Sequence, residues 1–189
     1  MQLIEKYVYR FDKENPPATK AVPGEILTYK TLDCFSGRIT DESILPSSLN
    51  YGYDVCNPAT GPVYMEGAKP GDVLMVEILD IVTAEEGTIT TDTICGPLFD
   101  KSVERTKKVK VKDGLAYFND ITFPIDPMVG VIGVAPAGNP VIDGYPGNHG
   151  GNMDSRLHRK GSKIYLPVQV EGALLSLGDV HAAMGDGEL

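Results

Sequence analysis

Residues 73–82, VLMVEILDIV, form an apolar run rich in β-branched side chains, and the turn signal Lys69-Pro70-Gly71-Asp72 stands just ahead of it. An uninterrupted run of this kind predicts a strand buried on both faces, hence a central one. KKVKVKDGLAYF (107–118) alternates lysine with valine and places Asp113-Gly114 between two strand-like stretches, which predicts a tight hairpin with its lysine face in solvent. IYLPVQVEG (164–172) sets Ile164, Leu166, Val168 and Val170 on one side and Tyr165, Gln169 and Glu171 on the other, with Pro167 indicating an edge or a bulge. Segments 25–32 and 87–95 are weaker strand candidates. Helix signals are confined to 100–106 and 180–184, each a turn or two, and 135–163 is rich in turns.

Composition agrees with this pattern. Twenty-one glycines and 14 prolines among 189 residues exceed a background of about 12%, as many short strands require and a helical bundle does not. Apolar residues at 42% and charged residues at 23% suit a chain that folds throughout. The expectation is one mainly β domain over 1–189, with sheets packed face to face in a β-sandwich or barrel-like arrangement. A net charge of −9 opposes binding to nucleic acid or an anionic membrane and leaves small molecules, cations or proteins as partners. No apolar stretch approaches the roughly 18 residues of a membrane span. The amino terminus has no signal-peptide pattern. Cys34, Cys56 and Cys95 are odd in number and lack CxxC spacing, so the expected setting is a reducing cytoplasm.

Chemistry concentrates in two segments. GDVHAAMGDGE gathers Asp179, His181, Asp186 and Glu188 between glycines. Asp-x-His on an extended backbone points both side chains to one face, and a divalent cation is the ligand that such oxygen and imidazole donors suit. The alternative is a solvated turn at 186–188 and an ordinary core histidine at 181. PGNHGGNMD (146–154) surrounds Gly150-Gly151 with His149, Asn152 and Asp154. Its backbone amides suit an oxyanion hole, and its alternative is a glycine-rich surface turn. His158, among basic residues, reads as exposed and idle. Glu66 fits either a buried functional carboxylate or a turn. Cys95 reads as a small buried hydrophobe, with a thiolate nucleophile as the minor option. Neither a phosphate-binding loop nor a GxSxG elbow occurs.

These segments, with NPPATKAVPGE (15–25), NPATGPVYMEGAKPGDVL (57–74), GVIGVAPAG (130–138) and GSKIYLPVQVEGALLSLGDVHAAMGDGE (161–188), resemble the acetamidase/formamidase family along the whole chain. The resemblance implies a β-rich fold, hydrolysis of small aliphatic amides to a carboxylate and ammonia, and a divalent metal site, zinc or calcium. It implies Asp154, Asp179, His181 and Asp186 as metal ligands, and Glu188, His149 and Asn152 as catalytic groups. Family members continue beyond the GDGE motif, whereas this sequence stops at Leu189. That difference leads to the expectation of a C-terminally truncated fold that self-associates or pairs with a complementary chain. The rival functions are a non-catalytic metal- or ligand-binding β module, one half of a split amidase, and a thiol amidase built on Cys95.

Overall fold

A computed structural model describes residues 2–49, 52–93 and 98–185. Among these the strands run, in chain order, β1 (Gln2–Ile4), β2 (Tyr7–Val8), β3 (Arg10–Phe11), β4 (Thr19–Ala21), β5 (Leu27–Tyr29), β6 (Ala59–Met65), β7 (Val73–Glu77), β8 (Glu86–Thr91) and β9 (Arg105–Lys112). They continue as β10 (Leu115–Phe118), β11 (Ile121–Pro124), β12 (Met128–Gly133), β13 (Val141–Ile142), β14 (Pro146–Gly147), β15 (Gly150–Asn152), β16 (Lys163–Pro167) and β17 (Leu175–His181). Short 3-10 turns at Pro46–Leu49 and Tyr53–Val55 are the helical elements described. The mainly β expectation holds. No sheet among the described residues closes into a barrel.

The main sheet has the order β14-β15-β12-β17-β6-β2, with β4 also paired to β6. Its middle strands are MVGVIG, LSLGDVH and ATGPVYM; β12 is buried at every position and β6 at all but one. One face packs under the antiparallel ribbon of β7 and β16. Val129, Ile132, Val134 and Leu175 of the sheet region meet Ile78, Ile164, Leu166 and Val168 of the ribbon region in one apolar core. A second cluster forms around Ile4, Ala21, Val63 and Met65, and a third joins Phe11, Ala59 and Val131. The sheet of β8 to β11 stands apart and is tied to residues 39–47 by polar contacts: Thr106 Oγ1 donates to Ile44 O at 2.6 Å, and Glu104 accepts from both Ser47 N and Ser47 Oγ at 2.6 Å.

The 107–118 hairpin forms as expected, with Asp113 and Gly114 both in left-handed conformation (φ 53° and 76°), which is the type I′ requirement. The 73–82 expectation is corrected. Its strand covers Val73–Glu77 and lies in the two-stranded ribbon, and Val73 and Met75 are 62% and 45% exposed beside Tyr165 at 64%. Within that strand the alternate side chains Leu74 and Val76 face the core, and Ile78 joins it just beyond, so the run is half-buried and peripheral. Pro167, paired with Val73, does lie on an edge. Helix is found at neither expected place. Val180 and His181 are taken into β17 by pairing with Val129 and Met128, and residues 98–101 make a turn before β9 begins at Arg105. Within the turn-rich stretch 135–163 the short strands β13 to β15 form. No helix of the described residues is long and apolar enough to cross a membrane.

Exchange of the central role from β7 to β12 has a measurable consequence. Ile132→Ala, which empties a fully buried position, is expected to lower unfolding free energy by about 2–5 kcal/mol. Val73→Ala is expected to stay within about 0.5 kcal/mol. Urea denaturation of the two variants distinguishes these placements.

Candidate functional site

The centre of β12 is gripped on both edges, and the grip brings two distant parts of the chain to one point. On one side β12 pairs antiparallel with β17, Met128 opposite His181 and Val129 opposite Val180. On the other, Val129 N donates to His158 O at 2.9 Å, while Met153 N and Asp154 N both donate to Gly130 O at 3.1 and 3.2 Å. Asp154 thereby arrives over Gly130 from one side, and Asp179 and His181 from the other.

Three side chains converge there. His181 Nε2 lies 3.4 Å from Asp179 Oδ2 and 3.6 Å from Asp154 Oδ1, and one donor atom from each residue lies within 4.8 Å of the others. A cation with bonds of about 2.0–2.2 Å holds its ligands roughly 3–4 Å apart, so the donor set fits a divalent ion in type and in spacing. The side chains are mostly buried, with exposures of 11–17%. Gly130 is what leaves room for them. A Cβ at this position would lie 2.5 Å from Asp154 Oδ1, 2.9 Å from Asp179 O and 3.0 Å from His181 Nε2, closer than a real Cβ is found.

Both carboxylates stand on left-handed backbone, Asp154 at φ 41° and Asp179 at φ 50°. Aspartate tolerates this region better than most residues, at a cost of the order of 1–2 kcal/mol. The reading of Asp179-x-His181 as an extended pair is thus right about convergence and wrong about the backbone: a left-handed residue, rather than regular alternation, turns Asp179 toward the imidazole.

His149 and Asn152 are near in sequence but outside the three-residue donor cluster. His149 is buried, its ring edge-on to Phe11 at 5.0 Å, and its Nε2 has no hydrogen-bond partner among the described residues. Burial holds its imidazole below the ordinary histidine value, so it is neutral at pH 7. Asn152 sits on β15 opposite Val131, with Oδ1 buried and also lacking a partner among the described residues. The oxyanion-hole expectation for Gly150-Gly151 is corrected. Both glycines belong to β15, which runs between β12 and β14, and Gly151 serves close strand contact, since a Cβ there would lie 2.3 Å from Tyr145 O.

His158 is corrected too: it is half-buried, its carbonyl engages Val129 N, and Nδ1 is buried without a hydrogen-bond partner among the described residues. Glu66 is exposed beside a turn, as its simpler reading had it. Asp186, Glu188 and Cys95 lie outside the described residues. Sequence reasoning missed Gly130, whose signal was a glycine interrupting an otherwise apolar run, and Asp143, a fully buried carboxyl with no pattern around it.

The family model for the acetamidase/formamidase family matches residues 2–143 and 141–189. Among solved structures, the chain superposes on an acetamidase of Bacillus halodurans with a TM-score of 0.94 and 41% identity, covering 99% of this chain and 64% of that one. For a protein of Thermoanaerobacter tengcongensis described as a predicted acetamidase/formamidase, the TM-score is 0.92 and the identity 44%, covering 98% and 62%. The acetamidase of Mycolicibacterium smegmatis is 25% identical over 254 residues, 95% of this chain and 60% of that protein. The chain thus spans about three-fifths of the length of these relatives. With a family model matched along almost its entire length, the chain belongs to the acetamidase/formamidase family.

Proposed function

We propose that the chain binds a divalent cation through Asp154, Asp179 and His181, with Asp186 as a further ligand, and hydrolyses small aliphatic amides to a carboxylate and ammonia. The convergence of two carboxylates and an imidazole on Gly130 supports this reading most directly. An imidazole in the donor set favours zinc over calcium, which takes oxygen ligands. Family membership supports the amide as substrate class.

An amide resists hydrolysis because resonance weakens its carbonyl as an electrophile and its nitrogen leaves poorly unless protonated. A divalent cation, when bound, supplies Lewis acidity for the carbonyl and for water. The chain supplies the rest. Asp179 and Asp154 keep His181 Nε2 directed into the cluster, and their shielding from solvent strengthens every electrostatic contact made there. His149, neutral and with Nε2 available, is assigned a proton-holding role beside the substrate, and Asn152 an orienting one. Glu188 is assigned the transfer of a proton from water to the departing nitrogen.

Zinc titration of the purified chain is expected to show binding that Asp179→Ala and His181→Ala each abolish. Gly130→Ala, whose Cβ intrudes on the same volume, is expected to weaken zinc by about 10–100-fold. Ammonia release from formamide and acetamide should follow zinc content and disappear with chelator. Equal metal content in wild type and variants overturns the assignment of ligands, and hydrolysis indifferent to chelator overturns the mechanism.

His149 gives a pH prediction. Its folded value lies below the usual 6.5, so on acidification the unfolded chain takes up a proton that the folded chain refuses. The stability it contributes is therefore complete above about pH 6.5 and declines as pH falls toward the folded value. His158 acts in the same direction. Urea midpoints between about pH 5 and 8 should fall on the acid side in the wild type and fall less steeply in His149→Gln.

A further inference from the structure

Asp143 takes part in none of the chemistry above, yet its side chain is 0% exposed. Its backbone continues the pairing of β13 with β3, Asp143 N donating to Tyr9 O at 3.1 Å. Carboxyl Oδ2 accepts the Ala59 N–H at 3.2 Å, and Oδ1 has no hydrogen-bond partner among the described residues. Burying a carboxyl for a single backbone bond is a poor trade for stability alone. What lies on the other side of that bond gives it a purpose. Ala59 opens β6, and its register partner on β17 is Gly178, the residue before Asp179. The two backbones meet so closely that a Cβ on Gly178 would lie 2.3 Å from Pro58 O. Cys56, three residues before Ala59, is buried and lies within electrostatic reach of both the Asp179 and the Asp143 carboxyl groups, which places all three groups in one interior neighbourhood.

We propose that Asp143 is a positioning residue for Asp179: by accepting the Ala59 amide it fixes the start of β6 against Gly178, and so fixes the left-handed backbone from which Asp179 meets His181. Burial also pushes its carboxyl up to about 8, so at neutral pH it accepts the hydrogen bond as a mostly uncharged group and adds little negative charge near the trio. A carboxamide is therefore its faithful substitute, and a methyl group is not. The backbone part of this inference is independent of the cation; the zinc measurement rests on the cation reading given above.

The test compares Asp143→Asn and Asp143→Ala with the wild type, and includes Val111→Ala, in the separate sheet of β8 to β11, as a remote destabilised control. Amide hydrogen exchange over 59–65 and 175–181 and zinc affinity by calorimetry are read for all four. Asp143→Asn should keep wild-type protection and hold zinc within about threefold. Asp143→Ala should expose the Ala59 amide, raise exchange along β17 and weaken zinc by about 10–100-fold. Val111→Ala should lower the melting temperature and leave zinc affinity unchanged. The inference is overturned if Asp143→Ala exchanges like wild type along β17, or if Asp143→Asn fails as Asp143→Ala does. Should Asp143→Ala not fold, Asp143→Asn decides, wild-type protection supporting the inference and its loss overturning it. A wild type that binds no zinc overturns the cation reading alone, and the exchange data still judge Asp143.

Discussion

Gly130 has no side chain because three polar groups occupy the volume in which one would grow. Asp154 Oδ1, the Asp179 carbonyl and His181 Nε2 all lie within 3.0 Å of the place of its absent Cβ, and its own carbonyl holds the amides of Met153 and Asp154. The site therefore rests on two donors in β17 and a third, in the segment after β15, whose amide is pinned to β12. Its geometry inherits the rigidity of a strand paired on both sides, and core packing of Val129 and Ile132 on that same strand is transmitted directly to the spacing of the donors. A change that shifted β12 by a fraction of an ångström would move Asp154 relative to Asp179 and His181.

The left-handed carboxylates show where stabilisation from the fold is put to use. Backbone in this region is unfavourable for aspartate by about 1–2 kcal/mol, and Asp154 and Asp179 both adopt it. Each is held by neighbours already committed to the ladder: Asp154 through its amide to Gly130 O, Asp179 between Gly178 and Val180, both in register with β12. Local strain at two ligand positions and tight pairing around them belong together, because strained conformations persist where the surroundings over-determine them. A flexible loop of the same composition would relax to ordinary angles and separate the donors.

These same features explain what could and could not be read from the chain. The hairpin at 107–118 was legible because its turn chemistry is local: two residues that accept positive φ between two alternating runs. The central strands were not, since Gly61, Gly130, Gly133 and Gly178 interrupt β6, β12 and β17, and a glycine chosen for close backbone approach looks in sequence like a turn. The run at 73–82 misled for the opposite reason. Continuous apolarity marks a strand buried on both faces only when another layer covers it, and the face bearing Val73, Met75 and Tyr165 is left exposed here. Within the site, the Asp-x-His spacing carried Asp179 and His181. Asp154 joined them only through the resemblance, because its approach depends on a hydrogen bond across the sheet, which spacing does not encode.

Charge in this part of the molecule is arranged by burial as much as by sequence. The chain carries nine more acidic than basic residues, and two carboxylates already face each other across His181. A third full negative charge in the same interior would raise the repulsion that the fold must bear whenever no cation is present. Asp143 avoids this because desolvation keeps its carboxyl largely protonated at neutral pH. Burial thus suppresses negative charge at Asp143, a strand away from the donor trio, where it would only repel. Three aspartates of identical chemistry acquire two roles, distinguished by which neighbours the sheet gives them.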